Sequence, residues 1–430
     1  MTAFLSLTIL VTMGIAGIAS GPWAFAFLLL HFSLEQALQA SVPFFLSNIF
    51  ATNALAAIVT LISAFREWAA RGIDARSYFN AVWIGSLSIF AWSIVTLAWS
   101  PAAVSGWRFA LDGIPYILTF LVVGPVLIRT VNDAGKYSRI YLVAGVLIAA
   151  AVKLSPMFTT QSGRLGFRIA GSAFTNPLEL GELGAMIILA SALVRSERFP
   201  GLMLILRTAG LLLGALICAE SGSRGQIIFA VLIALVFFPV SRTIKNVPGF
   251  LTAVAASIVL MIALTFFAAY VLPERVATRW NISQIEGGVG ERTENLRDIF
   301  VYWLSKPQLW PVGLGFSAFD AVSVREGYSH VVTVDILFEL GLVATVLYFW
   351  MLARTIRSGI SLFHRHRDSP RDRSTVAFLL ATFVLQFLLS NKQGALWSSW
   401  GIFLAMILIC RIDAHEADQS SEAPSVAGQQ

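Results

Sequence analysis

Residues 203–240 read MLILRTAGLLLGALICAESGSRGQIIFAVLIALVFFPV, two apolar runs (203–219 and 224–240) joined by a short polar turn. A membrane-spanning helix needs about 20 mostly apolar residues, and lipid-exposed backbone cannot turn within the hydrocarbon. The pair therefore reads as two spans with the turn at a water-facing surface. The same pattern extends in both directions, with spans near 3–19, 22–38, 44–65, 81–99, 109–128, 138–155, 176–194, 248–272, 331–353, 375–390 and 395–411. The first two are poorly separated, so the sequence predicts an all-α polytopic membrane protein with 12–13 transmembrane helices. Composition agrees. Of 430 residues, 57% are hydrophobic and 13% charged, with mean hydropathy +0.77, whereas a soluble domain carries about a quarter charged residues. Most soluble enzyme classes are excluded.

Residues 1–413 read as one integral-membrane domain, and 414–430 (AHEADQSSEAPSVAGQQ) as a disordered cytoplasmic tail. The N-terminus lacks the charged region of a cleavable signal and reads as the first span. Net charge is +6, but the basic residues are scattered between apolar runs, so orientation explains them and no nucleic-acid partner is expected. One set of loops, including Arg66, Arg71, Arg129, Arg195, Arg242 and the arginines from Arg354 to Arg373, carries 18 of the 30 basic residues. The positive-inside rule makes that set cytoplasmic. The opposite short loops carry six: Arg108, Lys153, Arg164, Arg168, Arg224 and Lys392. The remaining long loop, 273–330, is then external. Cys218 and Cys410 both lie in apolar runs and suit neither a disulfide framework nor a metal site.

Four external features carry chemistry. Arg168 precedes Asn176-Pro177-Leu178-Glu179, a helix start with Asn176 as N-cap, Pro177 at N1 and Glu179 as partner of a capping box. Ser221-Gly-Ser-Arg224-Gly opens the span 224–240, where free N–H groups, the helix dipole and Arg224 suit an anion such as a diphosphate. Residues 291–304, ERTENLRDIFVYWL, form an amphipathic helix with Leu296, Ile299, Phe300 and Trp303 on one face, as in a helix lying on the membrane surface. Arg292 falls on that apolar face and needs an anionic partner, while Arg297 sits at its edge and reads as solvated. His330, just outside the span from Val331, is placed to act as a general base. The plain alternatives are headgroup snorkelling for Arg168, an interfacial turn at Arg224, a frayed first turn at Arg292 and an interfacial imidazole at His330.

Within spans, Glu35, Asp112, Asp335 and Glu339 are costly and call for pairing or a cavity. Asp335 and Glu339 lie four apart on one helix face, to orient a polar site or to serve packing. There is no Walker loop, GxGxxG, HExxH or Asp-x-Asp pair, so ATP, dinucleotide and zinc-protease chemistry lack support.

At these residues the chain resembles the O-antigen ligase and polymerase-like superfamily of bacterial envelope glycosyltransferases, over about 168–341. The resemblance runs through Arg168, Gly171, Asn176 and Pro177; then Ser223-Arg224; then Arg292, Pro307 and Gly313-Leu-Gly315; and last His330, Glu339 and Gly341. The chain departs from the family at Leu178 and Val331, where asparagine is frequent. The resemblance implies a lipid-dependent glycosyltransferase (GT-C-like) helical bundle in the bacterial inner membrane, with its active site facing the periplasm. It further implies metal-independent, inverting transfer of glycan from an undecaprenyl-diphosphate donor to a saccharide hydroxyl, without a cofactor. Arg168, Arg224 and Arg292 would hold the diphosphate and His330 would activate the acceptor, with Asn176, Arg297, Asp335 and Glu339 in support. The expected acceptor is lipid A–core or a similar glycolipid, as in a ligase. The alternative is a polymerase joining lipid-linked repeat units of O-antigen or exopolysaccharide. A transporter of lipid-linked glycan is a reading of another class, but its cations are expected near mid-membrane rather than at one face.

Overall fold

The computed structural model describes residues 1–72, 74–161, 164–169, 172–173, 176–195, 200–242, 296–322 and 329–422, with a few isolated positions between 248 and 294. Most of the expected span 248–272, and residues 273–292, 295 and 323–328 of the loop, Arg292 included, lie outside the described residues.

Helices α1 (Thr2–Ala19) and α2 (Gly21–Gln39) separate at Ser20, whose extended backbone breaks what hydropathy reads as nearly one run. The expected span 44–65 divides into α3 (Pro43–Ser47) and a longer α4 (Ala51–Arg71). There follow α5 (Ala75–Tyr78), α6 (Ala81–Thr96), α7 (Ala103–Ile117) and α8 (Val131–Leu154). Beyond Pro115, α7 widens into a π turn (Leu118–Val123) and then tightens into a 3-10 turn (Gly124–Leu127). Two short antiparallel hairpins come next, β1 (Thr159–Gln161) with β2 (Arg164–Gly166) and β3 (Arg168–Ile169) with β4 (Ser172–Ala173). They lead to α9 (Pro177–Leu193), α10 (Pro200–Glu220) and α11 (Arg224–Ser241). After these lie α12 (residues 296–304), α13 (Ala318–Val322) and α14 (Val332–Asp335). A π turn (Ile336–Leu340) joins α14 to α15 (Gly341–Arg365), followed by α16 (Pro370–Gln393) and α17 (Trp400–Glu422).

Among the described residues, seven helical segments are long and apolar enough to cross a membrane. The protein is therefore an all-α, multi-pass membrane protein. Helices α2, α4, α9 and α17, also at expected spans, are shorter or more polar; α2 carries His31, Ser33, Gln36 and Gln39 into the interior. That burial is possible because α2 is central, packed by α1, α4 and α8. Its residues 24–28 are almost completely enclosed. Helix α9 packs against α8, α10, α11 and α16, and α15 against α6 and α17. Outward faces expose Phe4, Leu61, Val104, Leu204 and Val346, which suits a lipid solvent.

One end of the bundle collects arginines from separate loops. Arg71 reaches Glu67 and Asp133, Arg129 donates to the Gly72 carbonyl, and Arg371 donates to Asn132. The expectation of a disordered tail over 414–430 is corrected for 414–422, because α17 continues to Glu422. Its extension is held by this basic end. His415 pairs with Asp74 at 3.0 Å, His366 with Glu416 at 2.6 Å, and Arg76 with Asp418 at 3.3 Å. Residues 423–430 lie outside the described residues.

Candidate functional site

Three helix ends meet at the opposite end of the bundle. At the C-terminus of α16, Lys392 Nζ donates to Ser223 Oγ (3.3 Å) and to Gln393 Oε1 (3.2 Å). Its stem lies over Gly225, so Lys392 sits directly on the Ser223-Arg224 turn that opens α11. The neighbouring Asn391 Oδ1 accepts from Thr333 N (3.2 Å) and Thr333 Oγ1 (2.6 Å) at the start of α14. Thus α16 ties the Arg224 turn to the segment that carries His330. The sequence reading used Lys392 only as an orientation marker. Its signal as a site residue was a cation within the polar run Asn391-Lys-Gln at a span's end.

His330 is half-buried and has φ 63, a left-handed conformation that costs a non-glycine residue about 1–2 kcal/mol. The turn is held from beneath. Ser329 Oγ accepts from Val331 N (2.9 Å) and donates to Asp335 Oδ1, while the backbone of Leu396 also reaches Asp335. A strained position fixed by several bonds is a frequent mark of a functional site.

Glu339 performs a similar task one turn later. Its Oε1 accepts from Phe319 N (3.2 Å), and its carbonyl accepts from Gly315 N (2.9 Å). Gly313 and Gly341 have φ 84 and 85, and a β-carbon on Gly313 would lie 2.1 Å from the Glu339 carbonyl oxygen. Gly313-Leu-Gly315 and Glu339-Leu-Gly341 are therefore one interlocked unit. The helix α12 rests on it, with Ile299 and Trp303 buried among Leu314, Phe319 and Phe338. This corrects the expectation of an apolar face laid on the membrane surface: much of that face packs against protein. Phe300 stays 46% exposed, and Arg297 is exposed.

Of the other expected residues, Arg224 is half-buried at the start of α11. Arg168 lies in β3, paired with Ala173, and its side chain is outside what is described. Arg292 and Gly171 are outside the described residues. Asn176 caps α9 by accepting from Leu178 N (3.1 Å), with Pro177 at N1. Glu179 Oε1 takes the Asn176 side-chain amide (3.4 Å), not the cap's backbone N–H as a reciprocal capping box requires.

Beside these turns lies a cavity of about 480 Å³. Asp112, Glu179, Asp335 and Glu339 line it, together with the aromatic rings of Tyr116, Phe316, Trp397 and Trp400. None of the four carboxylates has an ion-pair partner among the described residues. An adjoining cavity of about 320 Å³ shares Asp112 and Tyr116 and reaches His31 and Asn53. No group of three or more His, Cys, Asp or Glu among the described residues is placed to hold a metal ion.

Fold and site together define a multi-pass helical membrane protein with a cationic turn, a strained histidine and an acidic, aromatic cavity at one end of its bundle. The chain matches no protein-family model, and no curated protein is significantly similar to it.

Proposed function

We propose that the protein transfers glycan from an undecaprenyl-diphosphate donor to a saccharide hydroxyl at the periplasmic face, as an O-antigen ligase does. The observation that carries this reading is the convergence of Ser223-Arg224, Lys392 and the His330 turn through the Asn391–Thr333 hydrogen bonds. Arg224 and Lys392 hold the diphosphate, joined by Arg168 and Arg292 on the strength of the family resemblance. Their charge stabilises the negative charge that grows as the sugar–phosphate bond breaks. His330 takes the proton of the acceptor hydroxyl, whose oxygen attacks the anomeric carbon from the opposite face and inverts it. Polyprenyl diphosphate is a good leaving group, so the step needs no metal.

The cavity carboxyl groups, which have no ion-pair partner among the described residues, favour a second reading, a cation-coupled carrier of the same lipid-linked glycan. One experiment separates the two. Purified protein in proteoliposomes is given undecaprenyl-diphosphate-linked oligosaccharide and EDTA, with and without lipid A–core. Product only with lipid A–core identifies a ligase, and longer carrier-linked chains without it identify a polymerase. Absence of both products from correctly folded protein refutes the transferase reading.

A further inference from the structure

The cavity is lined by carboxyl groups and, among the described residues, no cation, whereas the turn carries Arg224 and Lys392, so the two suit different chemical groups. A diphosphate placed among Asp112, Glu179, Asp335 and Glu339 would find no cationic side chain in the described lining to neutralise it. A sugar meets a different surface. Its hydroxyls donate to carboxyl oxygens, and its C–H faces lie against aromatic rings. The rings here are held rigidly. Trp400 stacks on Phe120 with centroids 3.7 Å apart. Trp397 is fixed by its Nε1 donating to Ser93 Oγ (3.0 Å) and sets the edge of its ring against α7, where a β-carbon at Gly113 would come within 2.4 Å of Trp397 Cε3. A volume near 480 Å³ is in the ordinary range of small-ligand sites.

We propose that this cavity is a saccharide subsite that accepts neutral or amino sugars of the acceptor and rejects acidic ones. Asp112, Glu179 and Glu339 receive the hydroxyls, and Trp397 and Trp400 provide the stacking surface. As a subsite for transfer the proposal rests on the glycosyltransferase reading; as a binding site it stands on the cavity alone. Asp335 links the two, because it lines the cavity and binds Ser329, the residue before His330.

The test is calorimetric titration of the full chain in lipid nanodiscs at pH 7, with empty nanodiscs as blank. Three probes differ in charge: tri-N-acetylchitotriose, its de-acetylated glucosamine trimer, and trigalacturonate. The first two are expected to bind, and trigalacturonate at least tenfold more weakly. Asp112→Asn, at an exposed position without an ion-pair partner among the described residues, should narrow that gap at least threefold without lowering the melting temperature. Trigalacturonate binding as tightly as the neutral trimer overturns the proposal. So does failure of all three to bind, or an unchanged gap in a stably folded Asp112→Asn. His330→Ala should leave trimer binding within twofold. Binding without transfer by the native chain therefore refutes only the reaction, and transfer without binding refutes only the subsite.

Discussion

His330 shows how much of a site can rest on one backbone angle. At φ 63 its side chain is presented by a turn that an L-residue adopts at a cost, and Ser329 and Asp335 supply the bonds that hold it there. Removing the imidazole and relieving the strain are separable. His330→Ala keeps the left-handed β-carbon, whereas His330→Gly removes it, so the glycine variant should melt above the alanine one by the equivalent of up to about 1 kcal/mol. Both should lose transfer in proteoliposomes while retaining donor binding. Transfer by either variant at the native rate would exclude His330 as the base.

At the scale of elements, the site is made by helix ends rather than by the long loop. The end of α16 serves two neighbours at once, with Lys392 on the Ser223-Arg224 turn and Asn391 on Thr333. Lys392→Met keeps the stem that covers Gly225 and removes only the charge. Donor affinity, measured by titration of undecaprenyl diphosphate into nanodiscs, should fall about tenfold, in keeping with loss of one charge-assisted contact. Unchanged affinity would remove Lys392 from the diphosphate site. The start of α9 was legible in sequence because an N-cap is a local pattern, and Asn176-Pro177 indeed opens the helix. The partner of Lys392 was not legible, since 169 positions separate it from Ser223.

For the whole molecule, the far end of the bundle is a stability device. Burial alone would raise the Asp74 carboxyl, but hydrogen bonds from Ser77 and His415 outweigh it and hold the pKa at about 2, below the ordinary 3.8. A depressed folded pKa means that this contribution is complete above about 3.8 and is lost as pH falls toward 2. Deleting residues 414–430 removes His415, Glu416 and Asp418 together with their pairs to Asp74, His366 and Arg76. The truncated protein should melt lower at pH 7, and its acid unfolding should begin at a higher pH. Equal melting temperatures would mean that the extension of α17 contributes nothing to the bundle.

The sequence by itself determined that the chain crosses the membrane many times through helices. Lipid cannot satisfy backbone polar groups, so apolar runs near span length leave no other choice. It also marked the Arg224 turn, the α9 cap and the excess of positive charge in alternate loops, all of them local signals. Only the tertiary structure decided that carboxyl groups at 112, 179, 335 and 339 share one cavity, that α12 buries Ile299 and Trp303 against protein, and that the last helix runs on past 413 to Glu422. Those outcomes depend on which helix faces pack together, and the periodicity of a single apolar run does not specify its neighbour.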